Sequence, residues 1–182
     1  MSITVFTLPN VITSIRILLI PAFVIAILYG SYPEAAVFFI AASVSDAVDG
    51  WIARTWNQRS ELGVFLDPAA DKCLMIASFV LFASFGWVPL WLALTLIGRD
   101  LVIVLGWVFI MKVHGLTKVS PTMAGKTAIA SEMVLLSYIL LWLNIPSLPE
   151  PMVWMFVVVA VLSVASGLQY IYRGLEQTRE KR

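Results

Sequence analysis

Apolar positions fall into six runs of roughly twenty residues. That length crosses a hydrocarbon core of about 30 Å at about 1.5 Å rise per helical residue. The runs cover residues 13–29, 33–54, 66–85, 88–112, 123–143 and 151–172. Tyr32-Pro33, Gly86-Trp87-Val88-Pro89 and the segment from Asn144 to Pro151 separate them as short turns marked by Pro or Gly, and none of these three carries Lys or Arg. The basic residues gather on the other side: Arg54 and Arg59, Lys112, Lys118 and Lys126, then Arg173, Arg179, Lys181 and Arg182, with Arg16 near the start of the first run. By the positive-inside rule both termini are cytoplasmic. The pattern predicts an all-α integral membrane protein of about six transmembrane helices, forming one domain over residues 1–182.

Composition agrees with this pattern. Of 182 residues, 60% are hydrophobic and 13% charged, against about 25% charged in a soluble domain. The net charge of +1 leaves no basic footprint for a nucleic acid. Residues before the first apolar run include no basic cluster, and no small-residue cleavage site follows it, so the first helix is expected to stay. Cys73 stands alone, which excludes an internal disulfide and a thiolate metal cage; beside Leu74 and Met75 it reads as a packing residue.

Against that background the polar interruptions need a cause, because an aspartate at the centre of a spanning helix costs about 2.5 to 3.5 kcal/mol. Four aspartates interrupt the second and third runs: Asp46 and Asp49 at i and i+3, and Asp67 and Asp71 at i and i+4. Each pair shares a helix face. Carboxylates without His or Cys select a hard cation, magnesium or manganese, and this set suits one or two ions. Gly50 and Gly63 let a ligand approach the backbone closely, Ala53 extends the gap beside Gly50, and Arg54 offers a planar fork to phosphate. The plainer alternative is that Asp67-Pro68 is a helix cap with Pro at the first helical position.

The run Asp46, Asp49, Gly50, Ala53, Arg54, Gly63, Asp67 and Asp71 matches D-x2-D-G-x2-A-R-x8-G-x3-D-x3-D at all eight fixed positions. In this the chain resembles the CDP-alcohol phosphotransferase family, as does Pro9-Asn10-Val11-Ile12-Thr13-Ser14-Ile15-Arg16, which is similar to that family's P-N-x-x-T-x-x-R segment. The resemblance covers the whole chain. It implies phosphatidyl transfer from CDP-diacylglycerol to a glycerol-containing acceptor with loss of CMP, at a cytosol-facing site on a bacterial inner membrane. Asp46, Asp49, Asp67 and Asp71 are then ligands of two Mg2+ or Mn2+ ions, and Asp71 also accepts the acceptor's proton. Gly50, Ala53 and Arg54, with Asn10, Thr13 and Arg16, would hold the CDP-lipid. Arg99 and Lys126 would meet the acceptor. A homodimer is implied by the resemblance alone.

Two acceptors fit different features of the sequence. Relatives that use glycerol 3-phosphate commonly carry further basic groups where this chain has Trp107 and Ala128, which favours the less charged phosphatidylglycerol. The commonness of the glycerophosphate-using type in chains of this size favours glycerol 3-phosphate, the expected acceptor, with phosphatidylglycerol as the alternative. Adjacent residues lie about 100° apart on a helix, so Arg99 and Asp100 are expected to pair with other groups rather than each other. Glu132 inside the fifth run requires a partner the sequence does not identify, Lys72 reads as a snorkelling residue, and His114 reads as a loop residue. A proton-coupled transporter would also hold intramembrane acids, but spread along a path rather than clustered at one end of two helices.

Overall fold

The computed structural model describes residues 8–55, 61–114 and 122–179, with side chains described at 13–45, 70–106, 122–174 and 176. Six helices follow in order: α1 (Leu8–Leu28), α2 (Tyr32–Thr55), α3 (Glu61–Ser84), α4 (Leu90–His114), α5 (Met123–Asn144) and α6 (Val153–Arg179). Each helix carries most of one expected apolar run, with the ends shifted. Among the described residues, α5 and the Val153–Gly174 part of α6 are long and apolar enough to cross a membrane, and Thr13–Leu28 and Tyr32–Ser45 form shorter apolar stretches.

Two tight connections show how the sequence ends its helices. Gly30 takes φ +74° and Gly86 φ +76°, a region that a Cβ disfavours and glycine enters freely. After α1, Gly30 N donates to Ile27 O and Ser31 N to Ala26 O, at 3.1 and 2.9 Å. After α3, Gly86 N donates to Ala83 O and Trp87 N to Phe82 O, again at 3.1 and 2.9 Å. Both are Schellman closures, which satisfy carbonyls that the helix leaves unpaired.

The chain forms two compact units. The first comprises Met1–Leu81 with Leu140–Leu148. Within it α1 packs on α2, burying Phe23, Ala26 and Ile27 with Ala35, Phe39 and Ala42. The Phe23 and Phe39 rings meet at 5.8 Å and 48°. Asn144 Nδ2 donates to Leu140 O at 2.7 Å and to Tyr32 O at 3.1 Å, tying the end of α5 to the start of α2. The second unit comprises Phe82–Ile139 and Pro149–Arg182, and there α4 packs on α6. Its core includes Leu92, Ala93, Leu96, Leu136, Ile139, Phe156 and Val159. Large apolar side chains such as Leu18, Val37, Leu94, Leu105, Val134 and Leu168 stay exposed on both units. A water-solvated monomer rarely displays so much apolar surface, whereas lipid solvates it without cost.

The third helix begins earlier than its apolar run. Residues 61–65 are helical, so Pro68 is the eighth residue of α3 and not its first. Asp67-Pro68 therefore is not a cap; the proline leaves the Val64 carbonyl without its usual i+4 donor. Cys73 corrects another expectation, because it is exposed rather than packed. The helix face that carries it points away from buried Leu74 and Met75.

Candidate functional site

The motif occupies two continuous helices. Asp46, Asp49, Gly50, Ala53 and Arg54 lie on the last turns of α2, and Gly63, Asp67 and Asp71 on the first half of α3. The side chains of residues 46–69 lie outside the described residues, as does that of Asn10 on α1. The metal ligation expected of Asp46, Asp49 and Asp67, and the nucleotide contacts expected of Gly50, Ala53, Arg54 and Asn10, fall there. Asp71 is half-buried and engaged by a neighbouring group, following buried Ala70 and preceding half-buried Lys72. No cluster of metal-ligating side chains occurs among the described residues.

Thr13 and Arg16, one turn apart on α1, are the other members of the expected nucleotide-lipid set. Thr13 is buried and Arg16 is 0% exposed. Arg16 Nε donates to Ser45 Oγ at 3.3 Å, and Ser45 Oγ donates to Ala42 O at 2.7 Å. Ser45 immediately precedes Asp46, so α1 delivers a buried cation to α2 one residue before the motif begins. Burying a guanidinium requires that its donors be occupied, and this contact supplies part of that requirement.

The second unit holds the other candidate cluster. Arg99 Nη1 donates to Asp100 Oδ1 at 2.7 Å, with the two side chains 8% and 16% exposed. This corrects the expectation that they avoid each other: three methylenes let the guanidinium fold sideways across the 100° step to its neighbour. Arg99 Nη2 donates to Ser166 Oγ of α6 at 2.7 Å, while Arg99 Nε is buried with no hydrogen-bond partner. A Cβ on Gly167 would lie 3.2 Å from Arg99 Cγ, so the stem of the arginine runs closely along the α6 backbone.

The start of α5 adjoins the same serine. Thr122 precedes α5 and accepts from the Gly125 N–H at 3.0 Å through its hydroxyl, the contact of an N-cap to the third helical residue. A Cβ on Gly125 would meet Thr122 Oγ1 at 3.2 Å and Ser166 Oγ at 3.6 Å. Lys126 follows with an exposed side chain. Arg99, Ser166 and Gly125 are thus gathered, and Lys126 stands next to that group along the chain. One turn earlier on α6, Ser163 Oγ donates to Glu132 Oε1 at 3.2 Å. Glu132 is 2% exposed, so the partner required in the fifth run is on α6. His114 is the last residue of α4 rather than part of a loop.

Sequence reasoning missed Ser163, Ser166, Gly167 and Thr122. A signal was present: Ser163 and Ser166 stand at i and i+3 on an otherwise apolar helix, the spacing of one face.

The family model described as CDP-alcohol phosphatidyltransferase matches residues 6–167. Curated relatives named CDP-diacylglycerol--glycerol-3-phosphate 3-phosphatidyltransferase, from Escherichia coli (strain K12) and Shigella flexneri serotype 5b (strain 8401), are each 34% identical over 180 residues. The similarity covers 91% of this chain and 93% of each relative.

Proposed function

Because the chain belongs to the CDP-alcohol phosphatidyltransferase family, we propose that it transfers the phosphatidyl group of CDP-diacylglycerol to glycerol 3-phosphate and releases CMP. The observation that carries this reading is similarity along nearly the whole chain to relatives named for that donor and acceptor. The acceptor hydroxyl oxygen attacks the lipid-side phosphorus, the bond from that phosphorus to the bridging oxygen breaks, and CMP departs with the bond's electron pair. Asp71 accepts the proton of the attacking hydroxyl. Arg54 takes a diphosphate oxygen on its planar fork, and Gly50 and Ala53 leave room for the nucleotide. Arg99 and Lys126 receive the anionic end of the acceptor.

The donor set fits a resident metal. Asp46, Asp49, Asp67 and Asp71 are hard oxygen donors in i, i+3 and i, i+4 pairs on two unbroken helices, and they would hold Mg2+ or Mn2+, two ions in this reading. When bound, the cations supply neutralisation of the diphosphate and of the charge that grows on the departing oxygen. The role of the four carboxylates would be to fix where such cations sit, since phosphoryl chemistry needs alignment and charge neutralisation more than covalent help.

The same reading makes all six helices membrane spans, with both termini and the motif on the cytoplasmic side of a bacterial inner membrane, in a homodimer. Exposed apolar residues on both units and the turns after α1, α3 and α5, which carry no Lys or Arg, support the spans. A second acceptor has a specific observation in its favour. Asp100 lies on Arg99 and lowers the net charge there, which suits the singly charged phosphodiester of phosphatidylglycerol better than a phosphate dianion. Supplying purified protein with CDP-diacylglycerol and either acceptor, then identifying the lipid formed, decides between them. Phosphatidylglycerophosphate supports the proposal, and cardiolipin as sole product replaces it with the second reading.

A further inference from the structure

A guanidinium has five N–H donors in one rigid plane. In Arg99 the two terminal nitrogens are held by groups from two different helices, Asp100 on α4 and Ser166 on α6, each at 2.7 Å. Held at both ends, the plane cannot rotate without breaking a charge-assisted hydrogen bond. Nε is left over, buried and without a hydrogen-bond partner. A buried N–H of a charged group left unmet carries its full desolvation cost, which marks a position that a ligand completes. Close packing fixes the stem as well, since a Cβ on Gly167 would press on Arg99 Cγ at 3.2 Å. The serine is itself confined, because Gly125 brings the first turn of α5 against its hydroxyl.

We propose that Ser166 is a positioning residue for the acceptor site: by holding Nη2 it turns the Nε edge of Arg99 toward an anionic oxygen of the acceptor, while Gly167 keeps the channel in which the arginine stem lies. The proposal rests on the reading that Arg99 meets the acceptor. It does not depend on whether that oxygen belongs to a phosphate monoester or a phosphodiester, because both present the same atom to Nε–H.

The test is steady-state kinetics on purified full-length protein carrying Ser166→Ala, Ser166→Thr, Gly167→Ala or Arg99→Lys, with KM and kcat measured separately for CDP-diacylglycerol and for the acceptor that wild type uses. Ser166→Ala is expected to raise the acceptor KM about tenfold and leave the KM for CDP-diacylglycerol within about twofold. Ser166→Thr, which keeps the hydroxyl, restores the acceptor KM, and Gly167→Ala raises it by displacing the arginine stem. An unchanged acceptor KM in Ser166→Ala overturns the proposal, as does an equal rise for both substrates, which is the mark of a merely structural residue. If Arg99→Lys leaves the acceptor KM unchanged, the acceptor reading of Arg99 itself fails, and the role of Ser166 fails with it. If Arg99→Lys raises that KM and Ser166→Ala does not, only the serine assignment is lost.

Discussion

Arg16 and Arg99 are both buried arginines on apolar helices, but they end in different surroundings. Arg16 is fully enclosed within the first unit, and its Nε is occupied by Ser45. Arg99, in the second unit, has an acid and a serine on its terminal nitrogens and an Nε that nothing occupies. An arginine whose inner donor is already taken by a neighbouring helix ties α1 to α2. One with an edge kept free has capacity for a ligand. Burial alone therefore does not distinguish the two arginines; the state of each donor does.

The comparison assigns neither arginine the bond-breaking step, and the largest expected effect accordingly lies elsewhere. Asp67→Asn or Asp71→Asn is expected to lower CMP release by about 10³-fold or more with the protein still inserted, because a neutral amide neither holds a hard cation as well nor accepts the proton. Retained turnover in detergent would remove both aspartates from the site. Next comes Arg54→Lys, expected to lower kcat/KM for CDP-diacylglycerol by about ten- to a hundredfold, since a point charge cannot copy the fork. If unfolding temperature falls instead and kcat/KM does not, Arg54 is structural.

The two arginines themselves sharpen the contrast. Arg99→Lys should raise the acceptor KM about tenfold, whereas Arg16→Lys should leave acceptor KM alone and cost about 1.5 to 3 kcal/mol of stability through the lost contact to α2. Kinetic and thermal data on the two variants, collected side by side, break the comparison if they respond alike. Smallest is Glu132→Gln, expected to change stability by less than about 1 kcal/mol because an amide oxygen still accepts from Ser163. A much larger loss in thermal unfolding would show that the carboxylate charge at that position is required.

The helices were legible because run length and turn chemistry agree: Gly30 and Gly86 close α1 and α3 where the apolar pattern stops. Two ends extended beyond their apolar runs. Glu61 to Phe65 on α3, broken by Glu61 and Gly63, and the largely polar α6 segment from Arg173 to Arg179 are helical, since hydropathy measures lipid contact and the backbone continues the helix regardless. The motif was legible as spacing, with Asp46, Asp49, Asp67 and Asp71 on two helices as expected. Interhelical partners were not. The pairing of Glu132 with Ser163 spans 31 residues and that of Arg99 with Ser166 spans 67, and helical periodicity says which face a residue occupies without saying which helix it meets. Arg99 meets Asp100 because a guanidinium reaches further than the angle between adjacent backbone positions implies.

The central claim is that acidic side chains of α2 and α3 hold hard cations which make phosphatidyl transfer feasible. Its most direct test is CMP release from CDP-diacylglycerol by purified protein before and after chelation, with Mg2+ or Mn2+ then restored. The account predicts release that stops on chelation, returns with either cation, and stays absent in Asp71→Asn. Equal release with and without metal would contradict it.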